Sequence, residues 1–362
     1  MDIELRGISK RFGPVQANQD INLDIRAGEV LGLLGENGAG KSTLMNILSG
    51  LYSADSGEIL IDGTPVLFAG PGDSIASGIG MVHQHFMLVP VFSVVENVIL
   101  GVEPTSGADF LDLAAARAQV QEINTRYGME VPTDALIEDL PVGIQQRVEI
   151  LKVLFRSADV LILDEPTAVL TPQEVEEFFT IVRALRDAGK GIVFITHKLH
   201  EILEIADRVS VLRQGQIVGQ GDPATFSEAD LAEMMVGRPV SFSGGRGAST
   251  PGVPVLDLAG VSLFDNAQDA HLADINLTVH GGEVVGIAGV QGNGQTELVE
   301  AITGLSPVTT GEIGFAGEDI TRASVRQRHR MGIAHIPEDR HKSGMVGKFT
   351  VAENMVLNSY YD

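Results

Sequence analysis

The stretch GENGAGKS, residues 35–42, spaces Gly35 and Gly40 around four residues and follows them with Lys41 and Ser42. This is the G-x-x-x-x-G-K-[ST] pattern of a phosphate-binding loop. Backbone N–H groups from Asn37 through Gly38, Ala39, Gly40 and Lys41 can then cradle phosphate oxygens at the positive end of the next helix. Lys41 would reach the β and γ phosphates of a nucleoside triphosphate, Ser42 would hold Mg²⁺, and Thr43 belongs with the residues that bind the nucleotide. Farther along, VLILDEPT (160–167) leaves Asp164 and Glu165 at the end of an apolar run. Asp164 would bind Mg²⁺ through water, and Glu165 would polarise an attacking water as general base. His197 follows a second apolar run, GIVFIT, while Gln84 in MVHQHF could bind the metal or that water. Phe12, in KRFGPV, could stack on an adenine. Each has a plainer reading: a glycine turn without a ligand, solvated carboxylates, a capped strand-end histidine, a core phenylalanine. Their joint presence behind an intact glycine loop favours phosphoryl chemistry. His83 and His85 flank Gln84 without a further metal-ligand cluster, which argues against zinc.

Such residues need rigid elements to hold them. EVLGLLG reads as a buried strand feeding the loop, and KSTLMNILSG as the helix after it. ADVLILDE (158–165) and GIVFIT (191–196) are short and nearly all apolar, as parallel strands covered on both faces are. INLDI (21–25) alternates, which predicts a half-buried strand in an antiparallel sheet. Residues 105–157 read as mostly helical. Strands alternating with helices predict an α/β fold around a largely parallel sheet.

The whole chain fits this picture. Its 362 residues suggest two domains. With 44% hydrophobic and 20% charged residues it can bury a substantial core. There is no cysteine, which excludes a disulfide framework and a zinc–cysteine site. A formal net charge of −23 disfavours a nucleic-acid partner, because phosphate backbones are bound by surplus Lys and Arg. The opening MDIELRG does not read as a secretion signal, and no apolar run reaches the roughly 18 residues that span a bilayer.

One pattern is written twice. GEVLGLLGENGAGKSTLMNILSGLYSADSGEI, from Gly28, returns as GEVVGIAGVQGNGQTELVEAITGLSPVTTGEI, from Gly282, at a constant offset of 254 residues. Between the copies, RPVSFSGGRGASTPGVP is rich in Gly, Ser and Pro. The expected organisation is a first domain over 1–237, a flexible linker over 238–254 and a second copy over 255–362. The second loop keeps Gly289, Gly292, Asn293, Gly294 and Thr296, but Gln295 replaces the lysine, and Glu338 stands in the position of Gln84.

Taken in order, these parts resemble an ATP-binding cassette (ABC) ATPase over essentially the whole chain. The resemblance makes Phe12 the A-loop aromatic, 35–42 the Walker A loop, Gln84 the Q-loop, 140–146 the signature, 160–165 Walker B and His197 the switch histidine. It implies a P-loop fold with a parallel-sheet core, an antiparallel β subdomain and a helical subdomain, followed by a partial second copy. The tandem arrangement and DEPTAVLTPQE look like the cassette subunit of simple-sugar importers. MVHQHFMLVPVFSVVENVILG, VGIQQRVEILKVLFR and HIPEDRHKSGM resemble most the branch that imports nucleosides. The implied activity is ATP hydrolysis with Mg²⁺, driving import through separate membrane permease subunits, with a substrate-binding protein acting indirectly. Such a subunit would sit peripherally on the cytoplasmic face of the membrane. Rival readings are a tandem-cassette ATPase acting on the ribosome or nucleic acid, and a regulator that binds nucleotide without hydrolysis. The short linker, absent cysteines and acidic charge speak against the first.

Two departures stand out. The signature, with Pro141, Val142, Gly143 and Gln145, reads LPVGIQQ; Pro141 stands where a serine is usual, so a hydroxyl and an N–H are lost while Gly143 and the helix end remain. Gln295 removes a full positive charge from the second loop, and Glu338 would add repulsion. In the family each nucleotide lies between one domain's Walker A and the other's signature, so the resemblance assigns Gln295 and Pro141 to one degenerate site. Counterparts of the signature and Walker B would fall near residues 394 and 418. The intact loop would therefore need another cassette or a C-terminal region, the chain being either a fragment or naturally short.

Overall fold

Alternate residues along the apolar runs belong to different cores, which is why those runs carry no polar face. The computed structural model describes all residues except 85, 107–109, 240–249, 265–269, 290–291, 339–342 and 361–362. The chain falls into two compact units, Met1–Ser243 and Gly244–Asp362.

In the first unit β1 (Ile3–Phe12) and β2 (Val15–Ile25) form a hairpin, and β3 (Val30–Leu34) leads into α1 (Lys41–Leu48). Next come β4 (Ser56–Ile61), β5 (Thr64–Val66), α2 (Pro71–Ala76), β6 (Ile79–Val82) and α3 (Val94–Ile99). The two-residue strands β7 (Thr105–Ser106) and β8 (Phe110–Leu111) precede α4 (Leu113–Arg126) and α5 (Val142–Phe155). After them lie β9 (Val160–Asp164), α6 (Pro172–Asp187), β10 (Gly191–Ile195) and α7 (Leu199–Ile205). β11 (Arg208–Arg213), β12 (Gln216–Gly221) and α8 (Glu228–Val236) complete the unit.

Beside the two-stranded β7-β8 ribbon, two larger sheets result: an antiparallel one, β2-β1-β4-β5, and a six-stranded one, β12-β11-β3-β10-β9-β6. In the latter every neighbouring pair from β11 to β6 is parallel, and β12 alone joins antiparallel. Val30 and Leu34 of β3, Leu161 and Leu163 of β9, and Ile192 and Phe194 of β10 share a core with α3 to α7. Leu31, Leu33, Val160, Ile162, Val193 and Ile195 point the other way, into a core with β1, β2 and α1. Each strand is thus sandwiched, as short all-apolar parallel strands must be. The α/β class, the antiparallel subdomain and the helices of 105–157 follow the sequence expectation.

The second unit repeats the antiparallel sheet as β14-β13-β15-β16, with β13 (Pro254–Phe264), β14 (Ala270–His280), β15 (Thr310–Phe315) and β16 (Glu318–Asp319). Its helices are α9 (Gln295–Thr303), α10 (Val325–Arg330) and α11 (Val351–Met355), and its core gathers Leu258, Val261, Leu298, Ala301 and Ile313. Residues 283–289, which the repeat aligns with β3, form no strand, and Val284 is 96% exposed. β3 owes its hydrogen bonds to β10 and β11. The positions 254 residues beyond those strands exceed residue 362, so this segment has no ladder to join.

A second difference is local. Ser74 donates to the Leu48 carbonyl at the end of α1. Its counterpart Arg328, 2% exposed, donates to the carbonyls of Ala301, Ile302, Thr321 and Ala323.

Candidate nucleotide-hydrolysis site

Four adjacent parallel strands, β3, β10, β9 and β6, end level with one another: Leu33 is opposite Ile195, Ile195 opposite Asp164, and Leu163 opposite Val82. Each strand delivers the chain to a chemical group singled out in the sequence. After β3 comes the glycine loop, after β10 His197, after β9 Glu165, and after β6 Gln84. Ligand sites of open α/β sheets gather at such carboxyl ends.

The loop itself is tightly determined. Gly40 takes a left-handed conformation, φ 107°, and a Cβ there would stand 2.3 Å from the Ala17 carbonyl oxygen. Gly35 is buried, and a Cβ on it would meet the Leu212 carbonyl oxygen at 2.4 Å. Asn18, fully buried on β2, donates to the Gly40 carbonyl at 3.2 Å. Gly38 and Asn37 face solvent, as do Glu36 and Ser42, while Ala39 is buried and Thr43 half-buried. Lys41 is 6% exposed and folds back, donating to the carbonyls of Gly35 (2.6 Å) and Glu36 (3.1 Å). Burial pushes its pKa down, and the carboxylates of Glu165 and Asp164 pull it back up. No side chain caps α1, so the N–H groups of its first turn are left for an anion. By contrast α3, α6, α8, α10 and α11 all open with capping boxes.

Glu165 is the convergence point. Its Oε1 lies 3.1 Å from Nδ1 of His197, and its Oε2 accepts from the Gln84 amide at 3.2 Å. Its backbone has φ 47°, an uncommon state for a non-glycine residue that is held in part by its N–H donating to the Ile195 carbonyl. Asp164 precedes it. Desolvation raises the Asp164 pKa, the neighbouring Glu165 charge raises it further, and Lys41 and His83 oppose both. The arrangement can offer a carboxylate to a water while a lysine and a helix end hold an anion.

Among the described residues no group of three His, Cys, Asp or Glu could hold a metal by itself. Mg²⁺ needs no such cage, because it keeps waters and takes one or two protein ligands together with substrate phosphates. A hydroxyl, a carboxylate and an amide, from Ser42, Asp164 and Gln84, fit that demand.

The remaining candidates are dispersed. Phe12 is 43% exposed and packs edge-on against Tyr52, ring centroids 5.4 Å apart, with the Lys10 ammonium 5.5 Å from the Phe12 ring. Sequence reasoning missed Tyr52; its only signal is an aromatic directly after the helix of the glycine loop. Pro141 takes the position before α5, and Val142, Gly143 and Gln145 lie in the first turn. No side chain caps this helix; Gln145 instead donates to the Leu140 carbonyl. A Cβ on Gly143 would meet a Glu174 carboxylate oxygen at 2.5 Å.

In the second unit Gly292 and Gly294 repeat the left-handed turns, φ 88° and 94°, and Gly294 opens α9, again uncapped. The Gln295 amide nitrogen lies 2.1 Å from where a Cβ on Gly289 would stand, so the glutamine lies across the loop. Asn293 is exposed, and the Thr296 hydroxyl donates to Glu338 at 3.4 Å. Residues 290–291 and His85 lie outside the described residues.

The family model described as ABC transporter matches residues 18–168 and 272–361. The nucleoside import ATP-binding protein NupA of Lactococcus lactis is 48% identical over 99% of this chain and 71% of its own length. The glucose import ATP-binding protein TsgD13 of Haloferax volcanii is 46% identical over 99% of this chain and 70% of its own. Among solved structures, cbiO1 of Clostridium perfringens, part of the ABC transporter complex cbiONQ, aligns with TM-score 0.56 at 31% identity. That alignment covers 63% of this chain and 92% of cbiO1. The chain belongs to the ABC transporter family, as one of its ATPases.

Proposed function

We propose that this chain is the motor subunit of an importer, hydrolysing ATP with Mg²⁺ to move a nucleoside or simple sugar through a separate membrane permease. The observation that carries the reading is the meeting of Gln84 and His197 on the two oxygens of Glu165, at the strand ends beside an intact lysine-bearing loop. Ser42, Gln84 and Asp164 would hold Mg²⁺, which supplies charge neutralisation to the transferred phosphate. Lys41 and the α1 N-terminus bind the phosphates, Phe12 stacks on the base, and Glu165 takes a proton from the attacking water.

A pocket of ≈ 310 Å³, lined in part by Leu51, Ile75, Met81, Met87, Lys152 and Arg156, supports a docked permease loop. Met87 and Leu51 are 65% and 50% exposed at its edge. Glu149 accepts from the Met87 N–H at 2.5 Å and Lys152 donates to the Met87 carbonyl at 3.1 Å, so α5 holds the segment that follows Gln84. No described helix is long and apolar enough to cross a membrane, which suits a peripheral place on the cytoplasmic face. A substrate-binding protein would deliver cargo to the permease without touching this subunit. Names of relatives at similar identity divide between nucleoside and glucose import. The motif HIPEDRHKSGM favours the nucleoside.

The second loop we read as a site without turnover, since Gln295 brings no charge to phosphate and lies across Gly289. The test is transport itself. The subunit assembled with its permease in vesicles should take up labelled nucleoside or sugar with ATP and lose uptake in Glu165→Gln. Uptake independent of ATP, or unaltered in that variant, would sink the reading.

A further inference from the structure

We propose that Glu201 is a positioning residue that sets the contact between Glu165 and His197. It lies in the first turn of α7, and its side chain is 1% exposed. Its Oε2 accepts from the Thr167 hydroxyl at 2.6 Å and from the Thr196 hydroxyl at 3.3 Å. Its Oε1 stands 2.9 Å from the Lys198 ammonium, which also donates to the Thr167 carbonyl at 2.9 Å. The Lys198 N–H in turn donates to the Thr196 hydroxyl at 3.1 Å.

The sequence positions of these partners make the point. Thr167 is two residues beyond Glu165, with Pro166 between them, while Thr196 and Lys198 directly flank His197. One buried carboxylate therefore grips both loops a residue or two from the groups that meet at 3.1 Å. That meeting needs support, because Glu165 sits at φ 47°, a backbone state that persists only where neighbours over-determine it. A buried carboxylate is costly to desolvate even when paired and hydrogen-bonded, so an apolar filler of similar volume would serve the fold as well. What the apolar filler could not do is hold two loops in one register. Small displacements at reacting groups carry large rate penalties, of the order of 10²-fold for about 1 Å.

The proposal rests on Glu165 and His197 acting as read above, and the experiment separates the two ideas. Phosphate release and the KM for MgATP are measured on the subunit assembled with its permease. The variants are Glu201→Gln, Thr167→Val, Thr167→Ser and His197→Ala, together with the double variant Glu201→Gln/His197→Ala. Glu201→Gln and Thr167→Val should lower kcat roughly tenfold or more with KM within about twofold, and Thr167→Ser, which keeps the hydroxyl, should match wild type. In the His197→Ala background, Glu201→Gln should cost almost nothing further, since both act through one contact. Losses that multiply, or Thr167→Val turning over like wild type, would overturn the positioning role and leave Glu201 to the fold alone. If Glu201→Gln fails to assemble, the Thr167 pair decides, because Thr167→Val keeps the Glu201–Lys198 ion pair. Undiminished turnover in His197→Ala would instead strike the underlying site assignment.

Discussion

Nδ1 of His197 stands 3.1 Å from Oε1 of Glu165 although 32 residues separate them, and the amide of Gln84, 81 residues away from Glu165, reaches the other oxygen. The parallel register of β10, β9 and β6 makes this meeting possible. Glu165→Gln should therefore lower ATP turnover by about 10²- to 10⁴-fold, the range a general base contributes. Calorimetry should still detect MgATP with near wild-type affinity. A variant that retained its turnover would remove Glu165 from the chemistry.

Lys41 now donates to two loop carbonyls that phosphate oxygens would displace. Titration of the wild-type chain with MgATP should detect one site, and Lys41→Ala should abolish it. A second site surviving in the variant would mean that the loop around Gln295 binds nucleotide.

Asp164 gives a stability signature. Burial and Glu165 raise its folded-state pKa above the ordinary carboxylate value, so the native state holds a proton that the unfolded chain has released. Stability falls as pH rises through that interval, and the full penalty persists above it. Asp164→Asn removes the charge. Without Mg²⁺ and nucleotide the variant should melt above wild type at neutral pH, and the gain should vanish once pH drops below the ordinary carboxylate range. An equal or lower Tm at neutral pH would contradict the burial argument. Its ATP turnover should be lost throughout.

Two glycines of the same loop should behave differently. Gly40→Ala places a methyl 2.3 Å from the Ala17 carbonyl at φ 107°, whereas Gly38→Ala opens onto empty space at φ 83°. The left-handed backbone alone costs about 1–2 kcal/mol, and the clash adds to it. Urea unfolding should rank Gly40→Ala clearly below Gly38→Ala. The reverse order would refute the close approach.

Arg328→Ala leaves four carbonyls of the second unit without their donor. Hydrogen bonds from a charged donor contribute about 1.5–3 kcal/mol each, with incomplete additivity, so a loss of about 3 kcal/mol is expected. Hydrogen exchange should report it as lost protection in α9, where Ala301 and Ile302 lie.

Much of this was legible in the sequence. The glycine loop announces itself through spacing, and the sandwiched strands through short runs with no polar face, as Leu161 to Leu163 show. The convergence on Glu165 was not legible, because register between distant strands is a property of the sheet. Glu201 was invisible for a related reason. In THKLHEI it looks like any surface-helix carboxylate, and only packing turns it inward. The segment 283–289 misleads in the opposite sense, since its apolar pattern matches β3 while the strands that would pair with it are missing from these 362 residues.

The uncapped start of α1 has a consequence for the life of the protein. Among the described residues six helices, α3, α4, α6, α8, α10 and α11, close their first turns with side chains, whereas α1 begins on a bare Gly40 at the end of the lysine-bearing loop. Nucleotide is then the missing cap, and it is a folding ligand as well as a fuel. Short of ATP, this ATPase would stand in its most protease-sensitive form, so its abundance would follow the supply of the nucleotide it hydrolyses.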